Sequence, residues 1–187
     1  VGFRMELPQP ALRGPIQRAN AATAIAALRA LDRPLPRTAF IEGVAAARIR
    51  GRLQAFDRDG VEVLVDVGHN PQAARELATA LKASRVTGDT IAVFAALQDK
   101  DAAGVVDALA DQVQQWHLAG LEGARAQSAG ELQARLAGTA AAAATPHASV
   151  VDALQHALTQ GKAGDRVLVF GSFHTAAQAL QMLDPHV

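Results

Sequence analysis

An aspartate, a histidine and an asparagine–proline pair stand together at Asp66-Val67-Gly68-His69-Asn70-Pro71. They sit between an apolar run, Val61–Val65, and a helical pattern from Gln72 to Lys82. Ligands of open α/β sheets gather where a strand's carboxyl end turns into a helix, so this junction is the first place to look for chemistry. Asp66 brings a carboxylate on the end of a strand, and His69 brings an imidazole on the turn. Asn70 followed by Pro71 reads as an N-cap and a first helical residue. A capped strand-to-helix turn with one solvated Asp is the plainer alternative.

Four further groups could carry chemistry. Gly171-Ser172-Phe173-His174-Thr175 follows the apolar run Arg166–Phe170. There Gly171 permits close backbone approach, and the Ser172 and Thr175 hydroxyls stand at a helix start, where free N–H groups attract anions. A simple hydroxyl cap explains them equally. Arg50-Gly51-Arg52 precedes an edge strand; its guanidiniums could clamp a phosphate or merely protect the edge with charge. In Gln98-Asp99-Lys100-Asp101 either Asp could cap a helix, or Lys100 could meet a substrate carboxylate. Gln17 and Asn20 share one turn of an Ala-rich helix, where Asn costs helix propensity.

The elements that must position these groups follow from periodicity. Residues 1–13 carry two prolines and no period, which predicts a linker. Gly14-Pro15 opens a helix to about Ala30, with Ile16, Ala19, Thr23, Ala27 and Ala30 spaced three and four apart. Asp32-Arg33-Pro34-Leu35-Pro36 ends it, and Thr38–Arg48 forms a second helix. Leu53–Phe56, Asp57-Arg58-Asp59-Gly60 and Val61–Val65 predict strand, tight turn, strand.

After the hairpin, strands alternate with helices. Thr90–Ala95 leads to Asp101–Val113, and Trp116–Ala119 to Ser128–Leu136. A short strand near Ala140–Ala144 leads to His147–Leu158, and Arg166–Phe170 to Phe173–Leu183. Apolar strands between amphipathic helices specify a Rossmann-like α/β fold: a mostly parallel sheet, helices on both faces, and an antiparallel edge strand.

Composition narrows the function classes. The 187 residues contain 18 basic and 18 acidic side chains, which argues against a nucleic-acid or anionic-membrane footprint. Cysteine is absent, so there is neither a disulfide framework nor a thiolate metal site. No apolar run reaches the roughly 18 residues of a spanning helix, and the expected location is the cytoplasm. A start at Val suggests a piece of a longer protein. There is no phosphate loop of the G-x-x-x-x-G-K-[ST] type, no G-x-G-x-x-G fingerprint and no G-x-S-x-G elbow. The six histidines, at 69, 117, 147, 156, 174 and 186, are scattered, and none forms the i, i+4 pair of a helical zinc site.

Taken in order, the segments resemble the C-terminal domain of the folylpolyglutamate synthase/dihydrofolate synthase family, within the Mur ligase superfamily. Those that carry the resemblance are Pro10-Ala11-Leu12-Arg13-Gly14 with Asn20-Ala21-Ala22, Gly51-Arg52-Leu53-Gln54, Asp66-Val67-Gly68-His69-Asn70-Pro71, Leu97-Gln98-Asp99-Lys100-Asp101, Leu121-Glu122-Gly123 and Gly171-Ser172-Phe173-His174-Thr175. The resemblance implies ATP-dependent ligation: phosphorylation of a pteroate or folate carboxylate, then attack by the amine of L-glutamate. It implies residues 1–33 as a linker and helix from the end of a preceding ATPase domain, and 34–187 as the C-terminal Rossmann-like ligase domain. The phosphate loop and Mg²⁺ ligands would lie in that N-terminal domain, the partner in cis, so this chain is expected to be inactive alone, and a monomer.

By the same resemblance Asn20 would contact the adenine side of ATP, Arg52 the phosphates and Asp66 the ribose. His69, Ser172 and Phe173 would lie on the glutamate side, with His69 and Asp66 as the catalytic pair. The family pattern has Pro-Gly-Arg-Phe where this chain has Arg50-Gly51-Arg52-Leu53, which leaves two candidate guanidiniums. Val67 in place of an aromatic favours the folate branch over a peptidoglycan amino-acid ligase. A non-catalytic binding module of the same fold is the remaining alternative.

Overall fold

The computed structural model describes residues 4–31 and 34–185. The Asp32-Arg33 end of the first helix and His186 lie outside the described residues. The chain divides into two compact units between Arg50 and Gly51.

The first unit holds α1 (Ile16–Ala30) and α2 (Arg37–Ala46). Its core is small: Ile25, Phe40 and Val44, backed by Met5 and Ala21. The anticipated stripe of Ile16, Ala19, Thr23, Ala27 and Ala30 is exposed instead. An Ala-rich helix offers several weak stripes at helical spacing, and the one that packs is Ala21–Ile25, one turn apart. Because Phe40 and Val44 complete that cluster, α2 packs within this unit, which ends at Arg50.

The second unit carries a six-stranded sheet in the order β1-β2-β6-β3-β4-β5. β1 (Gln54–Arg58) and β2 (Val61–Val65) form the antiparallel edge hairpin. Asp59 and Gly60, both at positive φ, make the two-residue turn whose twist suits such a hairpin. All other pairings, among β2, β3 (Thr90–Phe94), β4 (Gln115–Ala119), β5 (Thr145–His147) and β6 (Arg166–Phe170), are parallel. The helices are α3 (Pro71–Ala83), α4 (Ala102–Leu109), α5 (Ala129–Arg135), α6 (Val150–Gln160) and α7 (Phe173–Leu183).

Strand alternation sends side chains to two separate cores. Leu64, Ala92, Phe94, Leu118, Leu168 and Phe170 pack under α3, α4 and α5. Val63, Val65, Ile91, Val93, Val167 and Val169 pack under α6 and α7. A sheet covered on both faces needs continuously apolar strands, and β3 and β6 are buried along their whole length. The expected fold class is therefore observed.

Two elements lie elsewhere than anticipated. The last short strand is Thr145–His147 rather than 140–144. Ala141 and Ala144 instead point into the first core from a run of turns, small enough to pack there without strand geometry. Leu53 is not in the edge strand: it has φ +44 and is buried in the loop that precedes β1. Among the described residues no helix is long and apolar enough to cross a membrane.

Candidate active site

β2 and β6 are parallel neighbours, but the chain leaves β2 for α3 on one face and β6 for α7 on the other. Neighbouring connections that part in this way leave a crevice at the carboxyl ends of the strands. Asp66 directly follows β2 there. Its N–H extends the ladder to the Val169 carbonyl at 3.0 Å, and the residue is 7% exposed.

The Asp66 carboxylate is a clamp. Oδ1 accepts from Gly68 N at 2.7 Å, and Oδ2 accepts from Leu53 N at 2.9 Å, thirteen residues earlier. The Gly51 carbonyl in turn accepts from Val67 N at 2.9 Å. These bonds hold the 51–53 loop with Gly51 at φ +66 and Leu53 at φ +44. A left-handed Leu costs about 1–2 kcal/mol, so the loop persists because Asp66 and Val67 hold it. Gly51 is required for space as well, since a Cβ there would stand 2.9 Å from Val67 Cγ1. Between them Arg52 is exposed at the apex. Burial pushes the Asp66 carboxyl above its usual 3.8, against the pull of the two N–H donors and the nearby Arg52 charge.

His69 is positioned by the same turn. Its Nδ1 lies 3.1 Å from the Val67 carbonyl, which can only accept. A hydrogen therefore sits on Nδ1, and in the neutral ring Nε2 presents a lone pair. The ring centroid lies 6.4 Å from that of Phe173, the first residue of α7, whose side chain is 63% exposed. Asn70 caps α3, with Oδ1 accepting from Ala73 N at 2.9 Å and Pro71 opening the helix as anticipated.

The turn after β6 is more tightly built than the sequence suggested. Gly171 has φ +119, and a Cβ there would lie 2.4 Å from the Ala95 carbonyl and 2.8 Å from the Phe94 ring. Ser172 caps α7 by accepting from Thr175 N at 2.9 Å. Thr175 Oγ1 donates to the Ala95 carbonyl at 3.0 Å, so the Ser172 hydroxyl must donate to Thr175 Oγ1, 2.7 Å away. The Ser172 proton is thus spent inside the fold, and the residue is 4% exposed. It ties the start of α7 to the end of β3.

The ends of β3 and β4 add a second rim. Asp101 caps α4 through Gly104 N at 2.9 Å. Asp99 pairs with Lys100 at 3.1 Å and lies 3.6 Å from Arg125; the Lys100 contact holds its carboxyl below the usual range. Gln127, buried, donates to the Ala96 carbonyl at 2.7 Å and accepts from Arg135 at 2.9 Å. Neither Gln127 nor Arg135 carried any signal in the sequence beyond lying near a capping Ser.

The structure thus gathers Arg52, Asp66, His69, Ser172 and Phe173 at the ends of β2 and β6. Asn20 belongs to the first unit, exposed on α1, where its Nδ2 donates to Gln17 Oε1 at 3.1 Å. An exposed guanidinium on a braced loop beside two capped helix starts suits a phosphate-bearing ligand. A metal fits less well: among the described residues no group of three histidines or carboxylates is arranged to hold one.

The fold is that of an α/β domain whose candidate site residues gather at the carboxyl ends of its central strands. The chain belongs to the Mur ligase family: the model of the "Mur ligase, glutamate ligase domain" matches residues 51–173. Dihydrofolate synthase/folylpolyglutamate synthase of Escherichia coli K12 is 39% identical over 183 residues, 98% of this chain and 41% of that protein. The Haemophilus influenzae protein of the same name is 38% identical, over 87% of this chain and 41% of its own length. Among solved structures, E. coli FolC in complex with ADP superposes with a TM-score of 0.84 at 38% identity, covering 97% of this chain and 42% of that one. A bifunctional folylpolyglutamate synthase/dihydrofolate synthase with Mn, AMPPNP and L-glutamate bound gives the same TM-score and identity, over 96% and 42%. The chain therefore spans about two fifths of the length of these relatives.

Proposed function

We propose that this chain is the C-terminal part of an ATP-dependent ligase that joins L-glutamate to dihydropteroate, to folates, or to both. The observation that carries the reading is the Asp66 clamp, which braces the Arg52 loop beside the His69 and Phe173 turns at one crevice. Relatives solved with ADP, with AMPPNP and Mn, and with L-glutamate support it.

In the reaction a carboxylate oxygen takes the γ-phosphoryl group and ADP departs. The glutamate amine then attacks the acyl carbon, phosphate leaves, and the amine's proton is lost. Arg52 is the residue to face the phosphates, and its fixed positive charge stabilises negative charge that grows during transfer. Asp66 keeps Arg52 at its station and stands on the ribose side. His69 orients the amine, with Nε2 free to accept its proton. Phe173 excludes water from the acyl phosphate, which would otherwise hydrolyse. Mg²⁺ would neutralise phosphate charge from ligands in the preceding ATPase domain, and Asn20 would lie on the adenine side.

The test is a product assay on the full-length protein with ATP, L-glutamate and either dihydropteroate or tetrahydrofolate. Glutamylated product with release of ADP and phosphate is expected. Turnover of UDP-muramyl substrates instead, or no turnover with either pteridine, would overturn the proposal.

A further inference from the structure

Three histidines that are far apart in the sequence meet on the far side of the sheet from β2. His117 lies on β4, His147 ends β5, and His156 lies on α6, which packs over both strands. Their ring centroids form a nearly equilateral triangle with sides of 5.1, 5.1 and 5.3 Å. His117 Nδ1 is 3.0 Å from His147 Nε2, so one hydrogen is shared between two facing nitrogens. His117 is only 3% exposed, and its Nε2 is buried with no hydrogen-bond partner. The sequence reading of scattered histidines is corrected here: pairing β4 with β5 and laying α6 across them collects residues that no local spacing connects.

Proton bookkeeping follows from this geometry. In a neutral pair the one hydrogen between the rings belongs on His117 Nδ1, because that tautomer leaves the partnerless His117 Nε2 as a lone pair, which tolerates burial. A protonated His117 carries hydrogen on both nitrogens. It then buries a charged N–H at Nε2 with nothing to accept it, beside two further imidazoles. Among the described residues no group of three histidines or carboxylates is arranged to hold a metal ion.

We propose that His117, His147 and His156 form an acid-sensitive latch that fastens β5 and α6 to the β4 edge while the rings are neutral and releases that edge on protonation. Burial, reinforced by the two neighbouring rings, lowers the His117 pKa to about 4, and burial also lowers that of His147. The groups that bear on the cluster from each packed element can be named. From α6, Asp152 favours the charged form of His147, and Gln160 favours that of His117 while bonding His156 Nε2 at 2.8 Å. β3, on the other side of β4, has no titratable side chain, and α5 packs on the opposite face of the sheet. The latch reaches the site's second rim through the backbone, because the Gly120 N–H at the start of the 120–128 loop donates to the His147 carbonyl at 3.1 Å.

An opened edge frees His117 and His147 to an ordinary pKa of about 6.5. The open form then binds more protons than the closed one between pH 6.5 and about 4, so closure is full above that window and weakens as pH falls through it. At pH 5.5 opening should be roughly tenfold more frequent than at pH 7.5. Hydrogen exchange of the full-length protein, followed by mass spectrometry and corrected for the intrinsic pH dependence, tests this. Peptides covering 145–160 should exchange roughly tenfold faster at the lower pH, while those from β2 and β6 should not change. His156→Gln, at an exposed position, should reduce that difference, and His117→Met should remove most of it. Equal acceleration in all segments, or an unchanged pH effect in both variants, would overturn the latch. So would protection of 145–160 by added Zn²⁺ at pH 7.5, which would make the cluster a metal site.

Discussion

Replacing Asp66 with Ala tests whether this residue acts through Arg52. The substitution leaves the N–H groups of Leu53 and Gly68 buried without acceptors. Each orphaned donor costs about 1–3 kcal/mol, offset in part because a poorly solvated carboxylate is also removed. A net loss of about 2–3 kcal/mol is expected, a fall in melting temperature of roughly 5–10 °C for a unit of this size. Without its clamp, the loop relieves the left-handed Leu53, worth about 1–2 kcal/mol, and Arg52 leaves its station. One guanidinium aimed at a transition-state charge is worth about 3–4 kcal/mol, so kcat/KM should drop roughly 100-fold or more. Arg52→Ala should cost as much in rate but little in stability, because that side chain is exposed. The decisive measurement is the double variant in the full-length enzyme. If Asp66 works by holding Arg52, Asp66→Ala with Arg52→Ala loses no more rate than either alone. Multiplicative losses would refute the reasoning and give Asp66 an independent contact with substrate.

Two further substitutions probe the turn after β6. Gly171→Ala places a Cβ 2.4 Å from the Ala95 carbonyl at φ +119, so a loss of about 3 kcal/mol or more is expected, read as reduced melting temperature or soluble yield. A melting temperature equal to wild type would contradict the observed approach of the two strand ends. Ser172→Ala removes an N-cap and the Thr175 partner, which should cost about 1–2 kcal/mol. The KM for glutamate should rise only a few-fold, and a tenfold rise without loss of stability would show direct contact instead.

Most elements were legible because a strand or helix carries its own period, and the caps Asn70, Asp101, Ser128 and Ser172 announce the helix starts locally; the three-residue β5 and the packed stripe of the Ala-rich α1 carry no such distinctive period. The family motifs located Asp66, His69 and the Gly171 turn for the same reason: each is a short stretch whose residue types are set by one turn. What stayed hidden depends on pairings between distant segments. That Asp66 grips Leu53 requires β2 to lie against the preceding loop, and that Ser172 spends its proton inward requires β3 and β6 to be neighbours although five elements separate them in the chain. The histidine triangle is the extreme case, since β4, β5 and α6 each contribute one residue and none is remarkable alone. A carboxylate at a strand end can therefore be recognised from its own sequence neighbourhood, but its work cannot. At Asp66 the charge reads as a ligand contact in the sequence, whereas both of its oxygens bond to the protein's own backbone. Arg52, on the loop that the Asp66 carboxylate braces through Leu53 N, is exposed.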